Sequence, residues 1–216
     1  MILKGDVFHF FHFNFKGLVL YRIPFFLSII LAVSVVLFVF LFDSNLKIEK
    51  EHTNSNFIEE KRSSIFAKMG FILLPLKKKA PSLILRSLDA KSYGLEEFSG
   101  KVLLLNFWAI WCPPCIREMP SMQTAYEKFK GKGLEVLAIS LDSNNFAKIK
   151  EFVQELKLTF PIAYDPKDDA KFKYEVRSIP TTFIIDRKGY LVAYSKGPRE
   201  WDSEIALNLI KYLLSK

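Results

Sequence analysis

From Ile23 to Phe42 the chain runs for twenty residues without a charged side chain, and Phe, Leu, Ile and Val fill most of it. A helix of that length suffices to cross a hydrocarbon core. The run is longer than the apolar part of a cleaved signal peptide, and no Ala-x-Ala-like site follows it. No Cys follows it directly, so a lipoprotein signal is absent. The expected organisation is a short arm over residues 1–22, a transmembrane anchor over 23–42, a linker and lead-in segment over 43–76, and a globular domain over 77–216. Phe8, Phe10, Phe11, Phe13 and Phe15 of the arm suit a membrane interface. Lys4, Lys16 and Arg22 precede the span and Lys47 and Lys50 follow it, a bias that leans toward a cytoplasmic N-terminus. That orientation puts everything after Asp43 on the outer, oxidising side.

Residues 43–65 are polar and charged with little periodicity, which predicts a linker. Phe66, Met69, Phe71, Ile72, Leu73 and Leu74 are apolar again, as in a packed lead-in or a segment lying on the bilayer. A fully flexible chain over 43–80 would reach roughly 34 Å.

Beyond residue 77 the pattern is α/β. Val102–Trp108 is apolar almost without a break, as in a strand covered on both faces. Ile116, Met119, Met122, Tyr126 and Phe129 then recur at helical spacing, and Gly131 and Gly133 stop the helix. Further strands are predicted over 134–141 and 160–164, with an amphipathic helix over 146–156 between them. Residues 181–186 and 190–194 flank Arg187-Lys188-Gly189 as a hairpin, and a helix over 201–214 closes the chain. This order predicts an α/β sandwich with a mixed sheet.

The whole chain holds two cysteines, Cys112 and Cys115, where the strand 102–108 gives way to a helix. At a helix start the first sulfur meets unpaired N–H groups and the positive end of the helix dipole, which favours thiolate at Cys112. Two intervening residues let Cys115 attack a mixed disulfide formed on Cys112. Pro113 and Pro114 suit a first helical turn, where a missing N–H costs little. Trp108 and Trp111 flank the pair. The three histidines, His9, His12 and His52, all precede the domain. A four-ligand zinc site and a Cys–His hydrolase are thereby disfavoured, and no metal or other cofactor is expected. Ala109 stands where a peroxidase would carry Thr or Ser three residues before the cysteine. The net charge is +8, but 31 Lys and Arg are interspersed with 23 Asp and Glu, so no nucleic-acid stripe is evident.

Three stretches occur in order: Asn106-Phe107-Trp108-Ala109-Ile110-Trp111-Cys112-Pro113-Pro114-Cys115, then Glu118-Met119-Pro120, then Ile179-Pro180-Thr181-Thr182-Phe183. With them, residues 77–216 resemble the membrane-tethered thioredoxin-like proteins of the TlpA/ResA group. The resemblance implies a thioredoxin-like three-layer sandwich preceded by one transmembrane helix. It also implies thiol–disulfide exchange outside the cytoplasm, on a single-pass protein of a bacterial inner membrane. Cys112 and Cys115 would form the redox-active disulfide. Trp111, Ile179 and Pro180 would bind substrate, Pro180 as a cis-proline facing the sulfurs and Ile179 through its backbone. Glu118 would move the Cys115 proton, being three residues on along a helix. Cytosolic thioredoxins carry a buried aspartate six residues before the first cysteine; Asn106 stands there and cannot titrate. Pro120 would set helix shape. The expected partners are a protein disulfide or dithiol substrate and a membrane protein that donates electrons. The leading expectation is reduction of specific disulfides, for example in cytochrome c maturation. A disulfide oxidase or isomerase shares the same mechanism, and a Cu(I) metallochaperone needs only the two thiolates.

Overall fold

The computed structural model describes residues 16–88, 92–142, 146–165 and 167–216. The five arm phenylalanines lie outside these residues. The chain divides into two compact units, the boundary falling between Ile58 and Glu59.

The first unit holds most of helix α1 (Lys16–Lys68). From Phe26 to Phe42 its large apolar side chains are exposed on every side. A helix that is apolar all round needs an apolar environment, and α1 is long and apolar enough to cross a membrane. Here the structure departs from the sequence reading of a flexible linker, because α1 continues through residues 43–65 to Lys68. No Gly or Pro interrupts that stretch. Lys47–Asp43 and Arg62–Glu59 ion pairs, at 2.7 and 3.1 Å, lie on the helix at spacings that support it.

The second unit contains the end of α1 and the sheet. In chain order its elements are β1 (Ile72–Lys79), β2 (Ile84–Ser87), β3 (Ser92–Gly94), β4 (Val102–Trp108) and α2 (Pro113–Phe129). There follow β5 (Leu134–Ser140), α3 (Phe146–Glu155), β6 (Ile162–Tyr164) and α4 (Asp169–Lys173). The hairpin β7 (Thr181–Ile185) and β8 (Tyr190–Lys196) and helix α5 (Glu204–Leu214) complete it. The sheet order is β1-β8-β7-β4-β5-β6-β2-β3. Strands β4, β5 and β6 are parallel, and the other pairings are antiparallel. The step from β4 to β5 to β6 runs in one direction, so the right-handed crossovers α2 and α3 share a face.

Alternation along β4 separates two cores. Val102, Leu104 and Trp108 join α2, α3 and α5 on one side. Leu103, Leu105 and Phe107 face Phe98, Ala170 and Tyr174 on the other. The sequence reading of a mixed α/β sandwich therefore holds, with element ends within a few residues. The closing helix starts later than expected because Trp201 turns inward and Ser203 caps α5, its hydroxyl accepting from the Ala206 N–H. The sequence predicts neither the eight-residue edge strand β1, nor the short strands β2 and β3, nor α4.

The lead-in over 66–76 is packed against the sheet layer. Phe66, Met69 and Phe71 are buried in the α2–α5 core. Phe66 meets Phe71 and Tyr212 edge-on, and Phe71 meets Trp201 the same way. Strand β1 extends the sheet along β8, so the folded unit begins before residue 77. Phe66→Ala should lower the unfolding free energy by about 3–5 kcal/mol, read from urea midpoints. A change within a few tenths of a kcal/mol would mean that this segment is not part of the core.

Candidate active site

Strand β4 ends at Trp108, and four residues later the chain enters α2 with Cys112 as its N-cap. Two contacts fix the turn between them. The Ile110 N–H donates to Asp142 Oδ2 at 3.0 Å, and the Ser140 hydroxyl donates to the same oxygen at 2.7 Å. Pro113 and Pro114 occupy the first turn of α2, where no intrahelical donor is lost.

Cys112 and Cys115 are joined in a disulfide, their Cα atoms 5.3 Å apart. The Cys115 N–H donates to Cys112 Sγ at 3.3 Å. This is the helix-end N–H environment that favours negative charge on the first sulfur. Cys115 is fully buried, whereas Cys112 keeps 5% exposure. The two tryptophans part company. Trp108 is buried against Phe152 of α3, with ring centroids 5.3 Å apart, while Trp111 is 66% exposed beside Cys112.

The Ile179–Pro180 peptide bond is cis. Thr181 pairs with Phe107, so Pro180 stands level with Trp108, where β4 gives way to the cysteine turn. Ile179 packs against the core cluster that contains both cysteines. The Pro180 carbonyl accepts from the Gly197 N–H at 2.8 Å, which ties this loop to the end of β8.

Glu118 lies one turn beyond Cys115 on α2 and is 3% exposed. Asn106 Nδ2 donates to its Oε1 at 2.8 Å, and the Arg199 main-chain N–H donates to its Oε2 at 3.0 Å. Asn106 Nδ2 also reaches Thr182 Oγ1 at 2.9 Å. Burial raises the Glu118 carboxyl from its ordinary 4.5 to about 7, against the opposing pull of the Arg199 N–H and Asn106. The Trp201 indole adds a weaker polar contact from outside full hydrogen-bond geometry. Asn106 and Glu118, which sequence reading joined only by their positions relative to the cysteines, are thus in direct contact.

Arg199 was not anticipated. Its guanidinium donates to the carbonyls of Met69 and Gly70, and also to those of Lys196, Gly197 and Pro198. The lead-in is thereby clasped to the same residue whose N–H holds Glu118. Gly70 has φ +66, and a Cβ there would stand 2.7 Å from an Arg199 nitrogen, so the clasp needs glycine on both counts. Ser121 holds the other side of this loop, accepting from the Trp201 N–H at 3.1 Å. Asp142 and Ser121 also escaped the sequence reading, since neither belongs to a motif.

Residues 76–194 match the AhpC/TSA family over more than half of the chain. The chain belongs to the AhpC/TSA family. It is 39% identical over 124 residues to the thiol-disulfide oxidoreductase ResA of Bacillus thuringiensis subsp. konkukian, covering 57% of this chain and 71% of that one. ResA of Geobacillus kaustophilus is also 39% identical, over 51% of this chain and 63% of its own. Among solved structures, a Chlorobium tepidum protein assigned as thiol:disulfide interchange protein DsbE aligns with a TM-score of 0.60 at 33% identity, over 65% of this chain and 99% of that one. StoA of Bacillus subtilis aligns at 0.52 and 25% identity, over 60% and 97%. The thioredoxin-like fold of the family member is therefore the one expected from the cysteine and proline motifs.

Folding raises the Glu118 pKa, so the folded protein holds a proton that the unfolded chain releases between about pH 4.5 and 7. The stabilising contribution is complete at the acid end and lost as pH rises through 7. Glu118→Gln removes this titration. Between about pH 4 and about pH 8 the variant should lose on the order of 3 kcal/mol less unfolding free energy than the natural protein. Urea titrations across that range measure it, and parallel profiles for the two proteins would disprove the coupling.

Proposed function

We propose that this thiol–disulfide oxidoreductase reduces specific protein disulfides on the extracytoplasmic side of a bacterial inner membrane. Residues 23–42 of α1 would hold it there as a single span. Disulfides that arise in cytochrome c maturation are the substrate class, and a membrane protein supplies the electrons.

The reading rests on one arrangement: slightly exposed Cys112 at a helix N-terminus, with fully buried Cys115 one turn before a buried carboxyl. The Cys112 thiolate attacks a substrate sulfur. A Cys112–substrate bond forms, the substrate disulfide breaks, and its second sulfur leaves and takes up a proton. Glu118, in its charged form, accepts the proton of Cys115. The Cys115 thiolate then attacks Cys112 Sγ, the Cys112–Cys115 bond forms, and the remaining substrate sulfur leaves as thiolate. Two electrons pass from the enzyme to the substrate. A carboxyl that titrates near 7 suits this transfer at neutral pH.

Direction follows from which redox form the site stabilises. A strongly oxidising pair owes its potential to a stabilised reduced form, commonly through a stable thiolate. Cys112 carries the helix-end support for a thiolate and Cys115 lies in the apolar core, so the balance between the two forms is set at this pair and the reduction potential measures it. Exposed Trp111 adjoins Cys112 in sequence and Ile179 packs on the core cluster that holds both cysteines; an extended substrate would meet the Trp111 ring and the Ile179 backbone.

Equilibration with a thiol buffer should give a potential below about −200 mV, whereas a value near about −120 mV would make the protein an oxidant. With Cys115→Ala, reaction should halt at a mixed disulfide on Cys112, visible by mass spectrometry with a disulfide-bonded peptide. No trapped adduct would contradict the two-step exchange. Protease added outside intact spheroplasts should remove the domain from its anchor, and full protection would reverse the orientation.

A further inference from the structure

On the sheet face opposite α2 lies a cavity of about 350 Å³ that the exchange mechanism does not use. Tyr174, Phe183 and Leu191, all buried, form its apolar lining. Lys78, Lys173, Arg177 and Lys196 also line it, with Glu175 as the single acidic residue. Lys173 is engaged by Asp169 at 2.9 Å. Among the described residues no ion pair engages Lys78, Arg177 or Lys196. Lys196 Nζ lies 5.8 Å from the centre of the Tyr194 ring, which also borders the cavity. An apolar recess with a net positive rim is complementary to a negative group carried on an apolar stem.

The cavity's place in the chain says where such a group would come from. Thr181, which lines it, directly follows Pro180, and Arg177 stands two residues before Ile179. The loop that would take the substrate's extended backbone is therefore continuous with the cavity wall. Both cysteines belong to the core on the α2 side, whereas Tyr174, Phe183 and Leu191 belong to the core on the other side. Successive side chains of an extended strand point to opposite faces. A strand passing along Ile179 with its cysteine turned toward Cys112 directs the residues immediately before and after that cysteine to the cavity side.

We propose that this cavity is a specificity site for acidic residues, Glu or Asp, adjacent to the reacting cysteine of the polypeptide substrate. The assignment rests on the reductase reading above and adds to it the charge of the substrate strand. The steering acts on encounter with Cys112 and leaves the exchange chemistry to the two cysteines.

The test uses the full-length protein, reduced, in detergent micelles. Three short peptides each carry one cysteine capped by thionitrobenzoate, flanked on both sides by Glu, by Gln or by Lys. Attack by Cys112 releases the coloured thiolate, and each rate is divided by the rate with free dithiothreitol to remove intrinsic reactivity. The normalised rates should fall in the order Glu, Gln, Lys, with about a tenfold span at low ionic strength. Added salt should narrow the span. Arg177→Glu combined with Lys196→Glu should invert the order, with circular dichroism checking that the variant is folded. Arg177→Gln, a milder change at an exposed position, should narrow the span without inverting it.

Equal normalised rates for the three peptides, or an order that both variants leave unchanged, would overturn the assignment while leaving the reductase reading intact. If no peptide reacts faster than with Cys112→Ser, the reductase reading itself fails. Short-chain phosphatidylglycerol below its micelle concentration should not slow the Glu peptide. If it does so while flank charge has no effect, the cavity is a lipid-headgroup site and the proposal falls.

Discussion

Strand β4 has hydrogen-bonded neighbours on both sides and protein cover on both faces, so a polar side chain on it is costly unless it finds a partner. Six of its seven residues are apolar, and Asn106 is the seventh. A buried amide without partners would cost about 1–3 kcal/mol. Its Nδ2 is matched by Glu118 on the helix above and by Thr182 on the strand beside it. The polar exception in the central strand therefore locates the carboxyl of α2, and with it the face of the helix that also carries Cys115. The exit of β4 in turn sets where Cys112 meets the helix end. Sheet, helix and redox pair are positioned from one strand.

An amide suits this place better than a carboxylate would. Two carboxyls in contact in a buried site repel one another and split their titrations widely. Asn106 donates to Glu118 when the latter is charged, and its Oδ1 has no partner among the described residues. Turned about its last torsion, the same amide would accept a hydrogen bond from a protonated Glu118. A single residue can thus serve both protonation states of a group that titrates near 7. Asn106 is in this sense complementary to Glu118 and not merely a lost titratable group. The second oxygen of Glu118 depends on a main-chain N–H, that of Arg199. Its guanidinium clasps the lead-in, so packing of residues 66–71 and placement of the carboxyl share one anchor point.

Much of this was legible from residue type and spacing. The continuous apolar run of β4, the helical period of α2 and the cysteine pair between them each have a strong local signal. The edges of the sheet have little. Strand β1 reads Ile-Leu-Leu-Pro-Leu-Lys-Lys-Lys, with a proline and a lysine run where an interior strand would alternate. It pairs with β8 on one side, and charge and proline are what an edge strand tolerates. Strands β2 and β3 are four and three residues long, too short for a period to show. The polar stretch 43–65 has no apolar stripe, so its sequence points to a linker, yet it is helical. Helix continuation there needs only the lack of Gly and Pro and its own ion pairs. Arg199 was hidden for a different reason. It holds Glu118 through its backbone, which every residue but proline possesses, so side-chain identity carries no sign of that role.

Strand β7 shows how one element can divide chemistry from recognition. Its residues alternate across the sheet, so neighbours in sequence serve different faces. Thr182 turns toward Asn106 and through it to the Glu118 carboxyl. Thr181 and Phe183 turn the other way, into the lining of the cation-rimmed cavity. Both sets follow directly from Pro180, whose carbonyl is tied to Gly197 at the end of β8. A shift of β7 by one residue would exchange the two faces and place Phe183 where Thr182 meets Asn106. The hairpin register is held against that slip by Asp186, whose Oδ1 accepts from the N–H groups of Lys188 and Tyr190 across the turn. The turn at the far end of the hairpin is thus part of what keeps the carboxyl partnered and the cavity open.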